Sequence, residues 1–173
     1  MTCRRPLRAA ACIAALALGL AGCGSSTHAN QSFVKKVGGD KLAFTEHYMV
    51  VFNIVPPEHM YQPAQARTLH PDEGEYILKG YMAPIHADSR HFEAHIYNRA
   101  TGLPVKGLKP KITVTDTDNG QVRDVYPTWM QDVVVGPRDF HYGNNFDMPA
   151  GHRYHLQVAI SHGETASANL YLQ

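Results

Sequence analysis

The sequence predicts an all-β protein, an immunoglobulin-like antiparallel β-sandwich. Short runs rich in β-branched and aromatic residues recur between turns that contain Gly, Pro and Asn, and no segment shows sustained helical periodicity. The three cysteines, Cys3, Cys12 and Cys23, all precede residue 24. The chain that follows has no thiol and no disulfide, so a core of roughly 140 residues must stabilise it.

The predicted strands follow one another with turn signals between them. Pro56-Pro57 ends the first, and Asp118-Asn119-Gly120 predicts a hairpin between the fourth and fifth. Pro149-Ala150-Gly151 is predicted to join the sixth and seventh strands as a pair. In chain order the strands are predicted at 47–55, 75–82, 91–97, 111–115, 122–126, 141–148, 153–160 and 166–172.

The start of the chain predicts export and lipidation. Arg4, Arg5 and Arg8 precede the apolar stretch 9–20, which is too short to span a bilayer comfortably. Leu20-Ala21-Gly22-Cys23 then matches a bacterial lipobox, in which the Cys is cleaved at its amino side and acylated. The alternative is an ordinary secretory signal with an incidental Cys. We expect a periplasm-facing lipoprotein of the cell envelope, anchored in a membrane through Cys23.

These signals divide the chain into three parts. Residues 1–23 are the predicted signal peptide, 24–40 a flexible tether, and 41–173 a single β-sandwich domain. Removal of the signal leaves 13 Lys and Arg against 15 Asp and Glu, a charge of −2 with neutral His. Without a basic run or stripe, a nucleic-acid partner is not expected.

Histidine is unusually frequent, with eleven residues, and one run places it in a chemical pattern. His91, Glu93 and His95 alternate, so a strand would put all three on one face. Two imidazoles and a carboxylate on one face indicate a transition-metal site. The alternatives are the solvated face of an edge strand and, for Glu93, an ordinary surface carboxylate.

Met130 and His141 extend this candidate site. A thioether favours copper, a carboxylate favours the harder iron ion, and imidazole suits both. The lack of a thiolate excludes a blue-copper site. Because binding requires neutral imidazoles, affinity is expected to fall as pH drops through roughly 6.5. A ligating imidazole usually donates its second N–H to a fixed acceptor, which the sequence does not identify, although Glu93 and Asp139 are near in the chain. Met130 as a core residue and His141 as a turn residue remain the alternatives.

Several motifs resemble the periplasmic iron transport family, the Tpd-type proteins of bacterial ferrous-iron uptake. His91-Phe92-Glu93-Ala94 resembles its His-Leu-Glu-Ala strand, and Pro127-Thr128-Trp129-Met130 its Thr-Phe-Met segment. His141-Tyr142-Gly143-Asn144-Asn145 resembles its Pro-His-Tyr-Gly-Ala-Asn motif. Residues 50–60 resemble its early strand, which ends in a loop containing Pro and Met. The similarity covers roughly residues 46–162.

The resemblance implies an immunoglobulin-like sandwich that binds iron and copper, is often a homodimer, and serves an inner-membrane iron permease. His91, Glu93, Met130 and His141 match metal-binding positions of the family, and Met60 matches a methionine near its site. A further family histidine lies in a loop beyond the strand that matches 153–160. That loop is short in this chain, and His162 is the nearest candidate.

Three other functions compete with metal transport. A lipid-anchored sandwich could serve only for protein contacts in the envelope. An enzyme is not expected, because Gly-x-Ser-x-Gly and His-Glu-x-x-His motifs are absent. A copper–zinc superoxide dismutase-like protein would carry a disulfide pair and a denser histidine signature.

Overall fold

A computed structural model describes residues 41–173. The predicted signal peptide, the lipidation site Cys23 and the tether lie outside the described residues, so these remain predictions. Among residues 41–173, no helix is long and apolar enough to cross a membrane.

Eleven strands and three short helical segments make up the described chain. The strands are β1 (Lys41–Phe44), β2 (Tyr48–Val55), β3 (Met60–Tyr61), β4 (Glu75–Lys79), β5 (Ser89–Asn98), β6 (Lys111–Asp116), β7 (Val122–Val125), β8 (Thr128–Asp132), β9 (Phe140–Asp147), β10 (Arg153–Ala159) and β11 (Thr165–Tyr171). Helix α1 spans Pro63–Leu69, and single 3₁₀ turns span Gly136–Asp139 and Ser161–Gly163.

The strands form two sheets, and the predicted all-β sandwich is confirmed. The larger sheet has the order β1-β2-β5-β9-β8-β4-β3, and the smaller one β11-β10-β6-β7. Every pairing is antiparallel except that of the two-residue β3 with β4, which is parallel. The predicted Asp118-Asn119-Gly120 hairpin joins β6 to β7.

The main core lies between the two sheets, where alternate residues of each strand meet. β5 contributes Phe92, Ala94 and Ile96, and β10 contributes Tyr154, Leu156 and Val158, all buried. This burial follows from the period-two alternation of a strand. The opposite side chains of β10 are exposed or half-buried, whereas those of β5 are buried as well. The larger sheet therefore has a second buried face at its centre.

Three features of the fold differ from the sequence prediction. Helix α1 was not expected, because it has two turns and no buried residue, and so no apolar stripe. Strands β1, β3 and β8 were also missed. β9 and β10 are not a pair, since β9 lies between β5 and β8 while β10 lies between β6 and β11. The Pro149-Ala150-Gly151 turn thus connects the two sheets and does not close a hairpin.

Two segments cover the outer face of β5 and β9. The loop before β3 is fixed by Asn145 of β9, whose side-chain amide donates to the carbonyl of Glu58 and whose Oδ1 accepts the Glu58 N–H. The segment after β8 folds back so that the Asp139 carboxylate accepts the backbone N–H of Asp132 at 3.3 Å. These two segments turn an outward sheet face into an enclosed site.

Candidate metal centre

The site lies on the outer face of the two central strands, β5 and β9. Their register pairs His91 with Asn145 and Glu93 with Gly143, and paired residues project to the same side. Two residues further along each strand, the rings of His95 and His141 are 4.8 Å apart. The three histidines have no exposed surface. The alternative of a solvated edge strand is therefore wrong, because β5 is third of seven strands and covered on both faces.

Four side chains converge at the centre of this face. Potential ligand atoms of Glu75, His91, Glu93 and His141 all lie within 4.8 Å of one another. Glu75 begins β4, which β8 separates from β9, so three strands of the larger sheet, β4, β5 and β9, supply the group. Two imidazoles and two carboxylates form a donor set that suits first-row transition metals.

Hydrogen bonds determine which ring nitrogen of each histidine is available. Nδ1 of His141 donates to the backbone carbonyl of Asp139 at 2.8 Å, and Nδ1 of His91 lies 3.2 Å from Oδ1 of Asn145. Since both acceptors are oxygens, each Nδ1 carries the proton and each Nε2 keeps its lone pair. Neither buried Nε2 has a hydrogen-bond partner. This is how a metal-ligating histidine is commonly held.

His95 supports the site from beside the four ligand candidates. Its Nε2 donates to Oε2 of Glu93 at 2.8 Å, and the Asn53 side-chain amide donates to the same oxygen at 2.9 Å. Glu93 is 5% exposed, so the surface-carboxylate alternative is also wrong. The two donors leave Oε1 of Glu93 as the atom available to a ligand.

Burial controls protonation in the cluster. It lowers the pKa of His91 and brings that of His141 to about 3, well below the 6.5 expected for an exposed histidine. Burial alone would raise the pKa of Glu93, but the His95 hydrogen bond and the surrounding imidazoles lower it. Both candidate imidazoles are therefore neutral, and Glu93 ionised, at neutral pH.

The two methionines predicted near the site lie beside it in an apolar cluster. Met130 is fully buried and pairs with His141 between β8 and β9, so both side chains project from the same face. Met60 is 2% exposed, and its sulfur lies 3.8 Å from the amide nitrogen of Asn145. Met60, Ile77 and Met130 pack together, with Met82 against them. The position of Met130 is thus compatible both with a ligand role and with the alternative that it is only a core residue.

The structure does not bring His162 to this site. His162 is exposed and lies in the turn between β10 and β11, at a φ of 66°. Within residues 41–173 it belongs to none of the groups of three or more potential ligands that lie within 4.8 Å. His162 lies away from the cluster because the β10–β11 connection belongs to the smaller sheet.

Glu75 is the member of the cluster that sequence reasoning missed. It stood only as the first residue of a predicted strand, with no motif around it. Asn145 lies in a motif of the family resemblance that gave it no role, and Asp139 was predicted only as an acceptor. Whether a carboxylate on β4 reaches the site depends on the strand order of the sheet, which is a long-range property.

A cavity of about 370 Å³ leads from solvent to the cluster. Its lining includes five carboxylates, those of Glu58, Glu75, Glu93, Asp132 and Asp139. Exposed Val134 and Arg138 stand at its outer side. Burial raises the pKa of Glu58 and Asp139 to about 7 and raises that of Glu75 further, with nearby carboxylates adding to each shift.

Comparison with known proteins does not identify a family. The chain matches no protein-family model and no curated protein. Among solved structures, it is similar to a DUF4426 family protein from Pseudomonas aeruginosa, with a TM-score of 0.47 and 10% sequence identity. That alignment covers 79% of this chain and 98% of the other.

Proposed function

We propose that this protein is a cell-envelope lipoprotein that binds a transition metal ion, iron and/or copper, and supports iron uptake by an inner-membrane permease. The observation that carries metal binding is a pair of buried, unpartnered Nε2 atoms, on His91 and His141, facing two carboxylates. A buried polar atom without a partner costs about 1–3 kcal/mol. A bound cation would offset that cost.

The donor set favours a first-row transition metal over a hard cation alone. His91 and His141 supply nitrogen, and Glu75 and Glu93 supply oxygen, while Met130 places a thioether on the same face. Copper accepts all three donor types, and iron accepts nitrogen and oxygen. Calcium and magnesium would leave the imidazoles unused.

The transport role rests on the sequence. The lipobox at Cys23 supplies a membrane anchor, and the motif resemblance supplies the permease and a homodimer as partners. The acidic cavity is consistent with this role, because it gives a cation a path from solvent to the histidines. None of the residues gathered in the cluster forms a nucleophile–base pair, so binding is proposed and catalysis is not.

Calorimetric titration of the purified chain with Cu(II), Zn(II) and, without oxygen, Fe(II) tests the site. We expect saturable binding that the His91→Ala/His141→Ala variant loses. The matched control, His155→Ala/His162→Ala, removes as many imidazoles from the smaller-sheet side and should bind normally. It also removes His162, so it measures that candidate directly.

Two outcomes would contradict the proposal in different ways. Undiminished affinity in His91→Ala/His141→Ala would reject the site assignment. A folded wild-type protein that binds none of these metals would favour a lipid-anchored sandwich for protein contacts. The uptake role needs a separate test, in which cells carrying the double variant should grow poorly under iron limitation and normally when iron is added.

A further inference from the structure

We infer that the cavity holds a second cation site, built from the carboxylates of Glu75, Asp132 and Asp139. It would take a hard divalent cation of the manganese, magnesium or calcium type. The site lies on the solvent side of the histidine cluster and shares Glu75 with it. The inference does not depend on whether the histidines bind a metal.

The geometry of the three carboxylates is that of a coordination group. One oxygen from each of Glu75, Asp132 and Asp139 lies within 4.8 Å of the other two. All three residues line the same cavity, and Glu58 lines it beside them. Oxygen donors from several carboxylates at such spacing suit hard cations, which complete their coordination with water.

Two of these carboxylates are buried with an oxygen left over. Glu75 is 2% exposed and Asp139 is 5% exposed, yet Oε2 of Glu75 and Oδ1 of Asp139 have no hydrogen-bond partner. Nδ1 of His95 lies 3.5 Å from Oδ1 of Asp139 and has no hydrogen-bond partner either. Buried carboxylates are usually paired or coordinated. Orphaned oxygens lining a polar cavity therefore point to a ligand of positive charge.

The remaining hydrogen bonds of the cluster leave the inward oxygens available. Oδ1 of Asp132 accepts the backbone N–H of Val134 at 2.6 Å. Oδ2 of Asp139 accepts the backbone N–H of Asp132. Each carboxylate thus uses one oxygen to hold the covering segment, and its second oxygen is available to a cation.

Glu75 connects this site to the histidine cluster. Its Oε1 lies 3.8 Å from Nε2 of His141, while its Oε2 is the unpartnered atom. Glu75 is a member of both groups, and a carboxylate shared in this way can bridge two cations. The protein would then hold a nitrogen-rich site and an oxygen-only site of different preference side by side.

The competing explanation is that the carboxyl groups share protons and bind nothing. A second acidic group, Asp116, Asp118 and His152, shows what a satisfied cluster looks like in this chain. There His152 donates to Asp116 at 2.6 Å and Arg153 donates to Asp118 at 3.0 Å. In the cavity, by contrast, Oε2 of Glu75 has no hydrogen-bond partner. The Asp116 group is therefore a suitable control for the cation-binding experiment.

Electron paramagnetic resonance of Mn(II) tests the inference, because free and bound ions are counted separately. We expect the purified full chain to bind one Mn(II), and Asp132→Asn to weaken that binding by at least roughly tenfold through loss of a charged ligand. The introduced amide keeps an oxygen to accept the Val134 N–H, so the fold should persist. Asp118→Asn, with the same charge change in the satisfied cluster, should bind Mn(II) normally.

The His91→Ala/His141→Ala variant separates this site from the proposed function. It should lose copper yet keep Mn(II), whereas Asp132→Asn should keep copper. If Asp132→Asn does not fold, Asp139→Asn serves in its place. The inference is overturned if wild type binds no Mn(II) at millimolar concentration, if Asp132→Asn binds it as tightly as wild type, or if the double histidine variant loses it.

Discussion

His95 holds Glu93 in place through a 2.8 Å hydrogen bond between Nε2 of the ring and Oε2 of the carboxylate. The two residues are two apart on β5, so both side chains leave the same face of the strand. Asn53, opposite Glu93 on β2, donates to the same oxygen. The carboxylate therefore has one orientation, with its other oxygen available to the cluster.

Replacing His95 should weaken metal binding although His95 is not among the four converging ligand candidates. His95→Leu removes the donor, and we expect metal affinity to fall about 10- to 100-fold, the usual effect of losing a group that orients a ligand. His95→Gln keeps an N–H donor and should recover part of the loss. Calorimetric titration of both variants measures the difference.

A merely structural role for His95 would give another pattern. His95→Leu and His95→Gln would then change the free energy of unfolding, but metal affinity would not fall in the order wild type, His95→Gln, His95→Leu. Equal affinity in His95→Leu and wild type would show that Glu93 needs no support from the ring.

Met130 should distinguish copper from the other metals. Met130→Leu conserves volume at a fully buried position, so it should cost less than about 1.5 kcal/mol of stability. Loss of the thioether should lower Cu(I) affinity roughly tenfold and leave Zn(II) and Fe(II) unchanged. Competition with a colorimetric Cu(I) chelator measures the effect.

Met148→Leu is the matched control, because Met148 is equally buried but lies in the core between the sheets. It should change stability slightly and no metal affinity. Unchanged Cu(I) affinity in Met130→Leu would assign Met130 to packing alone.

Gly143 allows β5 and β9 to approach closely enough to form the site. A Cβ at this position would lie 1.8 Å from the backbone oxygen of Phe92, which a rigid central strand cannot yield. We expect Gly143→Ala to destabilise the protein by about 3 kcal/mol or more in urea unfolding. Metal binding should weaken too, because Glu93 and Gly143 are partners in the register.

Gly120→Ala separates this steric effect from conformational cost. Gly120 has a φ of +76°, and a Cβ added there would meet nothing within 4 Å, so Ala should cost only about 1 kcal/mol. A similar loss in the two variants would contradict the steric account of Gly143.

The Glu164–His47 pair should make stability depend on pH away from the metal site. Glu164 joins the β10–β11 turn to the start of β2, accepting the His47 N–H at 3.0 Å and contacting its Nδ1 at 2.6 Å. The backbone N–H of His47 and a hydrogen bond from Thr45 lower the pKa of Glu164 to about 2. The carboxylate in turn raises the pKa of His47 above 6.5.

The signs of the two shifts define a window. The contribution of Glu164 is present above its ordinary pKa of 4.5 and is lost as pH falls towards 2. The contribution of a protonated His47 is present below 6.5 and is lost as pH rises through its raised pKa. The destabilisation caused by Glu164→Gln should therefore be largest near pH 5.5 and smaller near pH 3 and pH 8. Urea unfolding at the three pH values tests this, and a pH-independent difference would contradict it.

Local patterns in the sequence predicted the parts of the site that lie along one strand. Alternation along β5 placed His91, Glu93 and His95 on one face, and the structure confirms that arrangement. The same alternation could not reveal whether that face meets water. Burial of it depends on the loop before β3 and the segment after β8, which pack against the sheet from distant positions.

The sequence by itself determined the all-β class, the hairpin between β6 and β7, the cysteine-free domain and the alternation that pairs imidazoles with a carboxylate. These follow from the strand period, turn chemistry and composition, which act over a few residues. Only the tertiary structure decided that Glu75 joins the site, that His95 supports Glu93 and that His162 lies elsewhere. Those outcomes depend on strand order and on which segments cover the sheet, and such contacts are set by packing between residues far apart in the chain.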